Sequence, residues 1–353
     1  MRFEPRPQPS LPLMLAAPVA ALVVSLALGA LLILAAHVPV GRAFALMLDG
    51  AFGSLPALAE TLARATPLIL TALSAAVAFR ARLWNFGAEG QLMLGALAAV
   101  AVGGAPNLMG IDAPDGLWLP TMLLAGMAAG ALWLALPTLA RVFAGVDEVV
   151  TTLLLNFVAA LLVSLLLDGA LKNPLVTSEP QSLPIAPALA LLPLLDGTHL
   201  HVGLVWALFA AGALWTIFAR TTFGLAMRAV GANPRAAAFA GLPVRFTVVM
   251  TALLSGALAG LAGVVEVAGR AGHLTLDMSA GVGYSGIVIA LLAGLHPAGV
   301  VPVALVVAAI MAGVESARRE LGVPGALADA MVAIALLAML VASLLARYRL
   351  RRD

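Results

Sequence analysis

The sequence has no cysteine, only two tyrosines, and charged side chains at 10% of its positions against 63% hydrophobic. Each shortage excludes something. Without cysteine there is no disulfide framework, no thiolate nucleophile and no thiolate metal site. A soluble domain keeps about a quarter of its residues charged, so an ordinary water-facing surface is excluded and a membrane protein is the class that remains. No glycine-rich phosphate loop or nucleotide-binding strand pattern occurs. Neither G-x-S-x-G nor H-E-x-x-H is present, and His37, His199, His201, His273 and His296 are scattered near the edges of apolar runs. The expectation is therefore no metal site, no cofactor in this chain, no nucleic acid and no enzymatic activity. The first apolar run, Leu13 to Val38, is too long for a signal-peptide core and reads as a retained span.

What the sequence does have is glycine (34) and proline (22) within long apolar runs. Membrane helices tolerate both, because small residues permit close packing and neighbours satisfy the freed backbone groups. The expected fold is all-α and polytopic, with about ten spans (eight to ten) of roughly 20 residues each. They are placed near 13–37, 62–80, 88–104, 117–140, 148–168, 199–219, 247–268, 283–295, 298–315 and 326–346. With both termini inside, cytoplasmic segments hold 13 of the 19 basic residues and external segments hold 6, the asymmetry the positive-inside rule requires. A single transmembrane domain over 1–353 is expected, with a cytoplasmic tail at 1–12, a cytoplasmic loop at 220–246 and a basic cytoplasmic tail at 347–353. The five prolines of 169–198 argue against a span there, and this segment is expected to lie along the outer surface.

Four stretches stand out. In Trp84–Gln91, Asn85, Glu89 and Gln91 fall among helix-weakening glycines. This reads either as a broken helix lining a path or as a polar turn with Glu89 favouring a helix N-terminus. Glu148, Thr152 and Asn156 are spaced i, i+4, i+8 on one helical face, either lining a passage or joining helices by hydrogen bonds. The small residues Ser255, Gly256, Gly260 and Gly263 predict a tight helix–helix contact. Glu60 with Arg64, Glu266 with Arg270, and Glu315 with Arg319 read as rim ion pairs. Phe86–Gly104 and Val282–Gly299 echo one another as short, glycine-bounded apolar segments, a pattern that points to a path between two halves of a transporter.

The fourth stretch is Thr221–Gly241, TTFGLAMRAVGANPRAAAFAG. Asn233 reads as an N-cap and Pro234 as the first helical residue. A short basic helix follows, closed by Gly241 in the left-handed region and by Pro243.

Together, LWNFGAEGQLMLGA (83–96), GVDEVVTTLLLNFVA (145–159), TTFGLAMRAVGANPRAAAFAGLPV (221–244) and LSGALAGLAGVVEVAG (254–269) resemble the permease subunits of bacterial ABC importers for nucleosides and simple sugars. That group is related to the ribose and branched-chain amino-acid permeases, and the resemblance runs from about residue 60 to the end. It implies that Gly224, Arg228, Ala229, Gly231, Asn233, Pro234, Arg235 and Ala237 belong to a coupling helix that docks on a separate ATPase subunit. ATP and Mg would be bound by that partner. It implies that Asn85, Glu89, Gln91 and Asn156 lie near the translocation path. The further partners it implies are a second permease (a paralogue or a second copy), an extracytoplasmic substrate-binding protein and the lipid bilayer, here the bacterial inner membrane. The alternative is a secondary transporter of a small polar solute. It would need ionisable groups buried at mid-membrane, and the candidates, Glu89 and Glu148, are both expected near cytoplasmic ends.

Overall fold

The structure is a computed structural model that describes residues 2–5, 11–35, 37–106, 115–176, 179–322 and 324–351. Apart from an antiparallel pairing of Arg2–Pro5 with Tyr348–Arg351 and three isolated bridges, its regular structure is helical. The helices are α1 (Leu11–Ala35), α2 (Val40–Phe52), α3 (Leu55–Arg80), α4 (Ala88–Gly103), α5 (Asp115–Ala144), α6 (Glu148–Asp168) and α7 (Gly203–Arg220). Then come α8 (Thr222–Ala232), α9 (Pro234–Phe239), α10 (Val244–Glu266), α11 (Val282–Leu292), α12 (Pro297–Leu321) and α13 (Gly325–Arg347). Among the described residues, seven helices are long and apolar enough to cross a membrane, and three shorter apolar ones include α4 and α11. Helix α2 was not expected from the apolar runs. Arg42 and Asp49 interrupt it, and its apolar residues form one face instead of a continuous run.

The contacts divide the chain into two compact units, Met1–Thr61 with Leu305–Asp353, and Leu62–Ala304. In the first, Ile33, Ala43, Val314, Ala328 and Met331 form a buried cluster flanked by Phe44, Met47 and Ile310. Gly313 lets α12 approach the backbone of α2, since a Cβ there would sit 2.5 Å from the Met47 carbonyl oxygen. Glu315 pairs with Arg318 at 2.6 Å and lies 3.9 Å from Arg319. The expected i, i+4 partner is thus displaced by its neighbour, whose fork meets the carboxylate through two nitrogens.

The second unit is built around α10, which packs on α5 and α4. The small-residue face predicted from sequence makes this contact within the chain. A Cβ at Gly260 would lie 2.2 Å from the Gly126 carbonyl oxygen, and one at Gly256 would lie 2.4 Å from that of Gly130. On the α4 side, a Cβ at Gly263 would lie 2.0 Å from the Leu92 oxygen. Backbones this close gain dispersion contacts along their whole length, the main attraction left where lipid is as apolar as the side chains. Beyond Glu266 the helix widens into a π-turn, Val267–Ala271, ending at left-handed Gly272. The Glu266–Arg270 pair closes over it at 2.6 Å.

The proline-rich segment after α6 is irregular and lies across helix ends. Ala186 N–H donates to the Gly103 carbonyl, Leu191 N–H to that of Ala268, and Ile185 N–H to that of Gly272. Helix C-termini leave carbonyls without partners, and this segment supplies some of the missing donors. His201 is buried behind it, its ring against Gly269. Burial, with a smaller contribution from the charge of His199, lowers its pKa to about 4. Its Nδ1 accepts the Gly203 N–H at 3.2 Å, so the imidazole is held neutral.

Candidate functional site

Between α3 and α4 the chain runs irregularly from Ala81 to Gly87, yet Leu83 and Asn85 are wholly buried. Non-helical backbone inside an apolar bundle needs partners for its N–H and C=O groups. The turn at Arg82, a non-glycine residue at φ 52°, returns some of them to α3. The polar stripe on α6 supplies others in successive rungs. Glu148 accepts the Trp84 N–H (3.4 Å) and pairs with Arg141 (2.8 Å), which also donates to the Arg82 carbonyl. Thr152 Oγ1 accepts the Phe86 N–H at 3.3 Å. Asn156 Oδ1 accepts the Gly90 N–H, and its Nδ2 donates to the Phe86 carbonyl and to the Tyr284 hydroxyl, each at 2.9 Å. The i, i+4, i+8 spacing therefore satisfies the backbone of the break.

Asn85 closes the loop from within. Its amide pairs reciprocally with that of Gln91 (3.0 and 2.8 Å), accepts the Gly87 N–H, and donates to Ser255 on α10. Ser255 in turn donates to the Ser74 carbonyl on α3. At 1.5 Å per residue, Ser255 lies about 16 Å along α10 from Val244, so this lock sits deep in the span.

Glu89 ties the two short helices together. Its carboxylate accepts the Gly281 N–H (3.0 Å) and the Gly283 N–H (2.7 Å), capping the N-terminus of α11 while standing in the first turn of α4. Gly281 adopts φ 77°, and a Cβ at Gly283 would lie 2.4 Å from the Glu89 nitrogen. Two positive helix ends thus meet on one carboxylate. Helix α4 is about 24 Å long and α11 about 16 Å, both short of the roughly 30 Å hydrocarbon core. These are the two segments that echo one another in the sequence. Glu89 therefore does more than favour its own helix N-terminus: from the first turn of α4 it also holds the start of α11.

At the C-terminal end of α3, where Gly231 meets the Arg80 carbonyl, Thr221 caps α8 by accepting the Gly224 N–H. Asn233 caps α9 by accepting the N–H groups of Arg235 (3.0 Å) and Ala236 (3.1 Å). The eight residues expected here separate into two groups. Gly224, Gly231 and Ala237 are buried and Ala229 is half-buried. Gly224 admits the Ile217 carbonyl and Gly231 that of Arg80, each 2.2 Å from an imagined Cβ. Arg228, Asn233, Pro234 and Arg235 are exposed, and Phe239 projects from the end of α9 at 97% exposure. Gly241 takes the left-handed conformation at φ 81°.

Residues 57–344 match the family described as the branched-chain amino acid transport system / permease component. This chain belongs to that family. The guanosine ABC transporter permease protein NupP of Bacillus subtilis (strain 168) is 35% identical over 322 residues, 91% of each chain. A glucose ABC transporter permease protein of Haloferax volcanii is 34% identical over 343 residues, 94% of this chain and 88% of that one. A second guanosine permease of the same Bacillus strain, NupQ, is 31% identical over 256 residues, 69% of this chain and 77% of that one. With its apolar helices, the permease is a multi-pass membrane protein.

Of the four residues expected near a path, the permease brings Asn85, Gln91 and Asn156 into one hydrogen-bonded lock around the break, with Glu89 beside it. Sequence reasoning missed Ser74, Gly281, Gly283 and Tyr284. The glycines flanking Val282, just before a tyrosine in a chain with only two, were the available signal.

Proposed function

We propose that this permease forms the translocation path of an ATP-driven importer for a nucleoside or a simple sugar, as one transmembrane domain of ten membrane segments. The observation that carries this reading is the match to NupP at equal length, 91% of both chains; the glucose permease keeps sugars within the class. NupP and NupQ are two guanosine permeases of one organism, and the longer match to NupP supports a second, shorter permease as partner. An ATPase subunit carries ATP and Mg, and an extracytoplasmic binding protein delivers the solute. The chain sits in the bacterial inner membrane with the 1–12 tail, the 220–246 loop and the 347–353 tail in the cytoplasm, and has no catalytic role.

The coupling helix is α9. Asn233 and Pro234 fix its first turn and the carbonyl-admitting glycines seat the preceding α8, so Arg228 of α8 and Arg235 and Phe239 of α9 face the ATPase. A rigid element transmits displacement; a floppy one absorbs it. ATP binding in the partner then favours one of two arrangements of the short helices α4 and α11 about the Glu89 contact. Coupling to an ion gradient would need a free ionisable group at mid-membrane, and both Glu89 oxygens are engaged by backbone N–H groups.

The test is co-purification from membranes in mild detergent. An ATPase subunit and a second permease should accompany the unaltered chain, and the Arg228→Glu, Arg235→Glu double variant should insert normally yet lose the ATPase subunit. Undiminished recovery of that subunit would refute the coupling assignment.

A further inference from the structure

The polar groups in the middle of the second unit are almost all spent on the fold. Asn85, Gln91, Ser74 and Ser255 bond one another, Thr152 and Asn156 hold the loop, and Glu89 holds α11. Tyr284 differs from them. It stands on the first turn of α11 with 41% of its surface exposed, between buried Gly283 and Ser285. Its oxygen accepts from Asn156, which fixes the ring, and a phenol that accepts still has its own proton to give. Asn156 lies about 12 Å along α6 from Glu148, so with α6 read as a membrane span that begins at Glu148 the hydroxyl lies inside that span. Tyrosines that face lipid concentrate instead at the headgroup level. An exposed ring with an unspent donor at this depth fits a wet, solute-lined surface.

We propose that Tyr284 is a residue through which the permease touches its cargo in mid-membrane, its ring stacking on a neutral ring-bearing solute and its hydroxyl donating to a heteroatom or hydroxyl of that solute. This rests on the permease reading above and names a contact that reading does not supply. The charges in this cluster are compensated, Glu89 by backbone N–H groups and Glu148 by Arg141, so the site favours a neutral ligand. Gly281 and Gly283 let the backbone turn sharply beside the ring, and Asn156 holds its hydroxyl while the residue stays exposed.

The absence of cysteine supplies a clean test. A Tyr284→Cys variant, in native membranes with its partners, is treated with a charged, water-soluble methanethiosulfonate with and without guanosine or glucose. We expect modification, slowed by whichever solute is transported. In uptake assays with whichever of tritiated guanosine and tritiated glucose is transported, Tyr284→Leu should raise KM on the order of tenfold and Tyr284→Phe roughly threefold, with kcat and complex recovery near those of the unaltered chain. A thiol inert to the reagent, or modified without protection by a transported solute, overturns the proposal, as does an unchanged KM in Tyr284→Leu; in all three cases the permease reading stands. If the unaltered chain, with its partners, shows no ATP-dependent uptake of guanosine, glucose or a panel of other nucleosides and simple sugars, the importer reading fails, and the proposal with it.

Discussion

Adding one methyl group at Gly260 should unfasten the centre of the second unit. The new Cβ would lie 2.2 Å from the Gly126 carbonyl oxygen, 3.1 Å from the carbonyl carbon and 3.2 Å from the Gly130 Cα. All three are backbone atoms, so no side chain can swing aside and α10 must back away from α5 by about 1 Å. A gap of that size forfeits a quarter to a half of the dispersion attraction for each contacting pair. It opens along the whole interface, including Gly256 against Gly130. Overpacking of this kind costs about 1–3 kcal/mol, and Gly260→Ala belongs at the upper end. At about 2 °C per kcal/mol for a unit of this size, its unfolding temperature in detergent should fall by roughly 4–6 °C. Gly212→Ala is the matched control. That glycine lies inside α7 with nothing within 4 Å of an imagined Cβ, so alanine should gain up to about 1 kcal/mol of helix propensity. Thermal unfolding followed by tryptophan fluorescence compares the two. Equal shifts, or a more stable Gly260→Ala, would refute the close-backbone account of this core.

Glu89→Gln should cost about 2–4 kcal/mol, because an amide NH2 would face a backbone N–H and one charge-assisted bond to α11 would be lost. The readout is faster amide exchange at Gly281 and Gly283; unchanged exchange there would show that the clamp is not formed. His201 makes stability pH-dependent near the 181–202 segment. Its folded pKa of about 4 lies below the unfolded value of 6.5, so the unfolded chain binds the proton more readily. Stability is full above pH 6.5 and falls as pH drops toward 4, by on the order of 3 kcal/mol in all. A histidine-labelled NMR titration should find His201 still neutral at pH 5.5, and half-protonation near pH 6.5 would exclude the buried, neutral imidazole.

The apolar runs determined a helical membrane chain and the positions of most of its long helices, because burial in hydrocarbon demands an unbroken stretch of fixed minimum length. The cap of α9 was equally legible, since Asn233, Pro234 and Gly241 act on neighbours two or three residues away. The spacing of Glu148, Thr152 and Asn156 announced a shared face, but not what would occupy it. Periodicity fixes a direction around one helix and says nothing about the loop that returns to meet it. Tertiary structure decided that loop's depth, and so changed the meaning of its polar residues. Asn85 and Gln91 bond each other, Glu89 reaches glycines almost two hundred positions away, and Tyr284 stays exposed between buried neighbours. A hydrogen bond between distant segments depends on the packing of glycine-faced helices at distances that no local pattern encodes.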